Sequence, residues 1–320
     1  MYRYIVKRIL VLIPVIIGVS LLIFVMMDLA PGDIVDYLGE DYSLEDAAAM
    51  RHELGLDRSV FYRYLVYMKD LLRGDMGYSP MQNSDIWSLY KQRFPNTLKL
   101  ALASMIVCVG LSLPLGIVSA KHRGSGIDNV SSVLSILGLS IPNFWLGMLL
   151  IILFAVKLKI LPAFGADDGI LSLILPAFTV GTGMMATMAR TTRSAMLDVL
   201  SQDYLRTARS QGVPEKTVVD KLALRNALIP IITVFGTQLG GCFGGALVTE
   251  NVFTYPGVGQ MIVKGIKSSD TTLVCGFIMM SVIMICVVQL AIDILYAFVD
   301  PRLKSQYASS KKKQKKEAVA

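Results

Sequence analysis

Six stretches of the chain are apolar and free of charged residues: 9–27, 100–120, about 133–156, 170–189, 227–249 and 271–292. Each is about as long as the ~20 residues an α-helix needs to cross a ~30 Å hydrocarbon core. Helix is the expected conformation because lipid offers the backbone no hydrogen-bond partner. A soluble domain of 320 residues has no room to hide six such stretches as core helices. The pattern predicts an all-α integral membrane protein with six transmembrane helices and a long loop, 28–99, after the first.

Composition agrees with this pattern. Apolar residues make up 54% of the chain and charged residues 17%, against about 25% charged in an ordinary soluble domain. A disordered chain, a disulfide scaffold and an extended nucleic-acid-binding arm are excluded. The net charge of +7 resolves into two faces. With the N-terminus inside, the cytoplasmic pieces hold Arg3, Lys7, Arg8, Lys121, Arg123, seven basic residues in 190–226 and seven in 293–320, giving +11 inside and −4 outside. Excess Lys and Arg marks the cytoplasmic side, so both termini are expected there and loop 28–99 outside. The first stretch exceeds the roughly 7–15-residue core of a signal peptide, and Asp28 spoils a small-residue cleavage pattern, so it reads as a retained helix.

The chain offers little reactive chemistry. Cys108, Cys242, Cys275 and Cys286 fall inside predicted spans and form no CxxC pair, which makes them apolar packing residues. His52 and His122 fall on opposite sides of the membrane. There is no HExxH, GxSxG or GxxxxGK[ST] motif, so neither a metal site nor ATP binding is expected in this chain. No Asp, Glu, Lys, Arg or His lies at mid-depth in a span, and Asp293 sits at the inner end of the last. Ion and proton relays in pumps place charges there. If the chain moves a solute, the driving energy arrives from elsewhere.

Loop 28–99 is expected to be partly folded. Ser43 can cap a helix over 44–54 with Asp46 at its third position and Gly55 as its stop. A second helix is expected over 60–72, with Phe61, Tyr64, Leu65, Met68 and Leu72 on an apolar face and Gly74 ending it. The simpler reading is a small cap on the outer membrane face; the alternative is a docking surface for an outside partner. In the fifth stretch, Gly236, Gly240 and Gly244 recur every four residues, beside Gly241 and Gly245. This spacing lets helix backbones approach closely, within the subunit or across a dimer. Thr233, Thr237 and Gln238 on the same helix are candidates to line a polar path.

Loop 190–226 is polar but strongly patterned. Met196, Leu197, Leu200, Tyr204 and Ala208 fall on one helical face, with Arg206 and Arg209 elsewhere. Gly212 then breaks the helix and Pro214 can open the next at its first turn. A helix–Gly–helix hairpin in a cytoplasmic loop suits a lever between a membrane pore and an external motor; an interfacial helix on the inner leaflet is the plainer alternative.

The residues of this hairpin, Asp203-Tyr204-Leu205-Arg206-Thr207-Ala208-Arg209-Ser210-Gln211-Gly212 followed by Leu224-Arg225-Asn226-Ala227-Leu228-Ile229-Pro230, resemble the "EAA" loop of binding-protein-dependent ABC importer permeases. The similarity is greatest to the B-type subunit of the dipeptide/oligopeptide/nickel branch. Gly212 takes the loop's glycine and Ala208 its second alanine. Arg206 and Thr207 replace the Glu and first Ala, as this branch commonly does. Leu222 and Leu224 take the Ile and Leu places, and Arg225 stands where the Pro would be. Ala30-Pro31-Gly32-Asp33, Leu54-Gly55-Leu56-Asp57, Leu72-Arg73-Gly74-Asp75-Met76-Gly77-Tyr78-Ser79, Ile141-Pro142-Asn143-Phe144-Trp145-Leu146-Gly147, Val252-Phe253-Thr254-Tyr255-Pro256-Gly257-Val258-Gly259 and Asp300-Pro301-Arg302 extend the resemblance along nearly the whole chain.

The resemblance implies a type I ABC importer permease fold in a bacterial or archaeal cytoplasmic membrane. Residues 1-93 would form the first helix and outer loop, 94-302 the transporter domain with a five-helix core, and 303-320 a basic cytoplasmic tail. It also implies a second homologous permease, two cytoplasmic ATPase subunits that bind ATP and Mg, and an extracytoplasmic solute-binding protein. Tyr204, Arg206, Thr207, Ala208, Arg209, Ser210, Gln211 and Gly212 would form the ATPase contact, within a coupling helix over 203–218. The substrate stays open among dipeptides, longer peptides, nickel chelates and other solutes. A self-contained channel or carrier and a membrane-embedded enzyme are less well supported. Lys311, Lys312, Lys313, Lys315 and Lys316 read as a solvated end that reinforces topology at the lipid bilayer, with no nucleic acid expected.

Overall fold

The computed structural model describes residues 2–38 and 43–299, without the side chains of 2–9, 12, 139 and 293–299 or the surroundings of Gly244 and Gly245. The tail 303–320 lies outside the described residues. In chain order the elements are α1 (Tyr2–Asp28), α2 (Val35–Leu38), α3 (Leu44–Glu53), α4 (Val60–Leu72), a small antiparallel ladder of β1 (Tyr78–Ser79) and β2 (Ser84–Asp85), α5 (Ile86–Lys121), α6 (Gly126–Ser140), and α7 (Asn143–Leu150) continued by π-helical turns over Ile151–Lys157. They continue with α8 (Ile170–Leu200), α9 (Asp203–Ser210), α10 (Glu215–Thr217), a π-helical segment Val218–Ala223, α11 (Leu224–Val252), α12 (Val258–Lys267) and α13 (Thr271–Val299).

Among the described residues, three helices are long and apolar enough to cross a membrane: Ile86–Lys121, Ile170–Leu200 and Thr271–Ile292. Two bent pairs raise the number to five, Gly126–Gly138 with Asn143–Lys157 and Glu215–Phe243 with Ala246–Val252. The first expected span falls in α1, whose described residues Ile13–Asp28 form an apolar helix. The sharper bend, 98°, has a local cause. Ile141 precedes Pro142 and is extended, at φ −81° and ψ 120°, because the proline ring excludes the helical conformation from its predecessor.

Local signals in the loop 28–99 act as their chemistry requires. The Ser43 side chain accepts from the Asp46 N–H at the start of α3. Gly55 and Gly74 adopt φ of +66° and +86° just after α3 and α4, the left-handed conformation that ends helices with least strain when the residue is glycine. The chain forms two compact units. The first comprises the described residues of Met1–Leu102, Gly147–Pro176 and Phe243–Cys286; the second comprises those of Ala103–Leu146, Ala177–Cys242 and Val287–Ala320.

In the first unit, Ile86, Leu89 and Tyr90 of α5 pack with Val258, Met261 and Ile262 of α12 and Leu273 and Phe277 of α13. A second cluster joins Ile23 and Phe24 of α1 to Tyr64 and Tyr67 of α4 and to Val274 and Cys275. This corrects the expected face of α4. Tyr64 and Tyr67 are buried, with Met68 and Leu71 packed beside them, whereas Phe61, Leu65 and Leu72 are exposed. The apolar arc is wider than one neighbouring helix can cover, so α1 takes one edge of it.

In the second unit, Cys108, Met188, Ala195 and Met196 pack with Leu205, Val218, Val219, Ala223, Ala227 and Ile231. Close helix approach relies on more glycines than the three expected. A Cβ added to Gly181 would stand 2.7 Å from the Ser104 carbonyl oxygen, and one on Gly116 would stand 2.8 Å from that of Ala189. Gly236 faces the Ile292 side chain, and a Cβ on Gly240 would meet Gln289 Oε1 at 3.5 Å. The stripe in α11 therefore packs within the subunit at these two positions; the surroundings of Gly244 lie outside the described residues.

Candidate functional site

The polar hairpin of loop 190–226 is built in three steps. First, α8 runs straight out of its apolar segment and stops at Leu200. Gln202, extended at ψ 144°, restarts the chain as α9, and the interruption resets the helical register. Met196 is fully buried, and Leu197, Leu200 and Ala208 pack at the edge of the same core, but Tyr204 is exposed and Leu205 is buried in its place. The continuous face expected through Tyr204 is thus corrected by the break at Ser201–Gln202.

Second, α9 is anchored from below and clasped at both ends. Leu205 fixes it to Val218, Val219 and Ala223, all buried on the π-helical segment. The Asn226 Nδ2 donates to the Tyr204 hydroxyl at 2.7 Å. Arg209 donates from Nε and Nη2 to the two Glu215 carboxylate oxygens, each at 3.0 Å. That fork holds the Glu215 carboxyl below the usual carboxylate range and raises Arg209. Two parallel charge-assisted bonds fix an angle as well as a distance, so Arg209 closes the hairpin on itself.

Third, the turn depends on Gly212, at φ +79°. Its N–H donates to the Arg209 carbonyl at 3.0 Å, and the Val213 N–H donates to that of Ala208 at 3.2 Å. These bonds satisfy carbonyls at the end of α9 and turn the chain toward Pro214, which precedes α10. The outer surface left by this construction includes Asp203, Tyr204, Arg206, Thr207, Ser210 and Gln211, all exposed. Arg206 is 3.8 Å from Asp203 with both side chains almost fully exposed, a pair worth little on its own. Of the two arginines expected to face a partner, Arg206 is displayed and Arg209 is engaged within the hairpin.

The candidate path residues divide. Thr233 and Thr237 are exposed on α11 and return their hydroxyl hydrogen bonds to Ile229 and Val234 carbonyls of the same helix. Gln238 instead donates from Nε2 to the Met184 carbonyl at 3.1 Å, which ties α11 to α8.

Two buried polar networks escape a local reading of the sequence. In the second unit, Asp128, 4% exposed, accepts both Arg193 Nε and Nη2 at 2.7 Å. It also accepts the Ser119 hydroxyl and the Gly124 N–H. The local signal was the spacing Ser125-x-x-Asp128: the Ser125 side chain accepts from the Asp128 N–H, a helix-start signature. The partner lies 65 residues away. In the first unit, Glu250 is fully buried. One of its oxygens accepts the Thr97 hydroxyl at 2.6 Å and the other the Gln260 N–H at 3.1 Å, while the Val258 N–H donates to Thr97 Oγ1 at 2.8 Å. The carboxylate serves the uncapped start of α12, where Gly257 has no side chain to offer.

These elements define the class of protein: a multi-pass membrane protein with a folded polar hairpin between two apolar helices. Comparison with known proteins then gives the family. The chain matches the description "Binding-prot-dependent transport system membrane comp, N-term" over residues 1–101 and "Binding-protein-dependent transport system inner membrane component" over 112–305. It is 39% identical to the oligopeptide transport system permease protein AppB of Bacillus subtilis, over 95% of this chain and 100% of that one. Identity is 37% to the di/tripeptide transport system permease protein DppB of Pseudomonas aeruginosa, over 96% and 100%. It is also 37% to the glutathione transport system permease protein GsiC of Escherichia coli, over 95% and 99%. Among solved structures, an inward-facing crystal form of the MetNI methionine ABC transporter shares the fold, with a TM-score of 0.56 at 20% identity over 66% of this chain and 96% of that one. The chain belongs to the family of inner-membrane permease components of binding-protein-dependent ABC transport systems.

Proposed function

We propose that this permease forms half of the translocation pathway of an ATP-driven peptide importer. It crosses the membrane six times with both termini cytoplasmic, and its transporter domain, 94-302, follows an outer segment, 1-93. The second half of the pathway is a homologous permease, and an extracytoplasmic solute-binding protein delivers the ligand. Two cytoplasmic ATPase subunits bind ATP and Mg and dock on the loop 190–226. Peptide is preferred over nickel or another small solute because the relatives reported above are named for oligopeptides, di/tripeptides and glutathione, itself a peptide.

The observation that carries this reading is the hairpin around α9. Its inner side is tied down by Leu205, Arg209 and Glu215, while its outer side offers Tyr204, Arg206, Thr207, Ser210 and Gln211 as an exposed, mostly polar surface. A rigid element with a free polar face can transmit a push without covalent chemistry. It does so only if the ATPase contact differs between nucleotide states, since a ligand with equal affinity for two states shifts neither.

Reconstitution tests the proposal. Proteoliposomes containing both permeases and both ATPases are expected to accumulate radiolabelled peptide only with ATP and binding protein present, and this chain alone is expected to give no flux. Flux through the chain alone favours the channel or carrier reading; transport of nickel but not peptide overturns the substrate class.

A further inference from the structure

We infer that α4 is a membrane-interfacial helix: it lies in the outer leaflet against α1, and its exposed face of Phe61, Leu65 and Leu72 contacts lipid acyl chains. The inference rests on the proposed reading of α1 as a span.

Depth is the first argument. Arg8 and Asp28 bracket 19 uncharged residues, about 28 Å of helix at ~1.5 Å per residue, which just matches a ~30 Å core. The span has no slack: sliding it outward would bring Arg8 into the hydrocarbon. At the same rise, Ser20 and Ile17 lie about 12 and 16 Å below Asp28, on either side of the midplane and close to it. Yet these are the residues that α4 touches. The Tyr64 hydroxyl donates to the Ile17 carbonyl at 3.1 Å and stands 3.0 Å from Ser20 Oγ, and Ser20 lies 3.7 Å from Met68 Sδ. Phe24 packs on both Tyr64 and Tyr67, with ring centroids at 5.6 and 5.2 Å. Arg63 reaches Asp28 at 3.1 Å, the first charged residue after the apolar stretch of α1.

The distribution of side chains around α4 is the second argument. At 100° per residue, Tyr67, Leu71, Tyr64, Met68, Phe61, Leu72 and Leu65 fill one continuous arc of about 160°. The first four face α1 and the adjoining core. Phe61, Leu65 and Leu72 complete the arc, yet are 64%, 51% and 85% exposed. Arg63, Lys69, Asp70 and Arg73 lie on the remaining side, with Tyr62 and Val66 between them. A wide apolar arc opposite a charged one is the signature of a helix lying in the interface. Because α4 packs at the depth of Ser20, the uncovered part of the arc faces acyl chains rather than water.

The test uses a fluorescent label on single cysteines placed at Leu65 and, separately, at Ile13, an exposed residue of α1. The background is Cys286→Ala, the other three native cysteines being buried. The complete transporter is reconstituted in phosphatidylcholine vesicles, and quenching by doxyl-labelled lipid is compared with quenching by iodide in the water. The label at Leu65 is expected to be quenched several-fold more by doxyl lipid than by iodide. Iodide-dominated quenching at Leu65, or protection from both quenchers as under a bound protein, overturns the inference if the Ile13 label is quenched by lipid. Failure of lipid quenching at Ile13 itself overturns the spanning reading of α1, and the inference with it.

Discussion

Gly212→Val is expected to remove uptake and the ATP hydrolysis coupled to it while leaving the subunit in the membrane. Nothing stands within 4 Å of where a Cβ would be at this residue, so the variant meets no steric clash. Its defect is conformational. At φ +79° a β-branched residue is strongly disfavoured, with strain of the order of 1–3 kcal/mol. At about 1.4 kcal/mol per factor of ten, the turned conformation loses roughly one to two decades of population. The Val213-to-Ala208 and Gly212-to-Arg209 hydrogen bonds depend on that conformation, and so does the seat of α9 over Leu205. Gly212→Asn, which tolerates positive φ better, is expected to retain much of the uptake. Normal uptake by the valine variant would remove the turn from the transport cycle.

Asp128→Ala is expected to damage the folded subunit itself. It strands the Arg193 guanidinium and withdraws the acceptor from the Ser119 hydroxyl and the Gly124 N–H. Removing one partner leaves the other's charge and donors unpaired, and the partial exposure of Arg193 to solvent softens that loss. Less intact subunit should be recovered from membranes, and the detergent-solubilised protein should unfold at a lower temperature. Asp128→Asn keeps one acceptor oxygen in place and should be milder. Wild-type melting of the alanine variant would show that the pair contributes nothing measurable.

Features written in local patterns were legible from the sequence. Charge-free runs marked the long helices, and Ser43, Gly55, Gly74 and Gly212 occupy the caps and turns expected of them. The features missed depend on which neighbour arrives. Tyr204 and Leu205 exchanged roles because a two-residue break reset the helical register, and nothing in the apolar spacing shows that break. On α4 the apolar arc was visible, but which edge α1 would cover was not. Asp128 and Arg193 meet across 65 residues, and neither advertises the other. Glu250 stands one residue beyond a charge-free stretch and so reads as the end of a span, although it is a fully buried ligand for the start of α12.

The central claim is that the outer side of α9 meets a cytoplasmic ATPase, and a cysteine at Ser210, exposed beside the Gly212 turn, tests it most directly. In the assembled transporter it is expected to crosslink to the ATPase subunit, with a yield that changes between nucleotide-free and ATP-bound states. Modification of the same cysteine by a membrane-impermeant reagent added outside intact cells, with no crosslink to the ATPase, would contradict both the coupling role and the orientation of the chain.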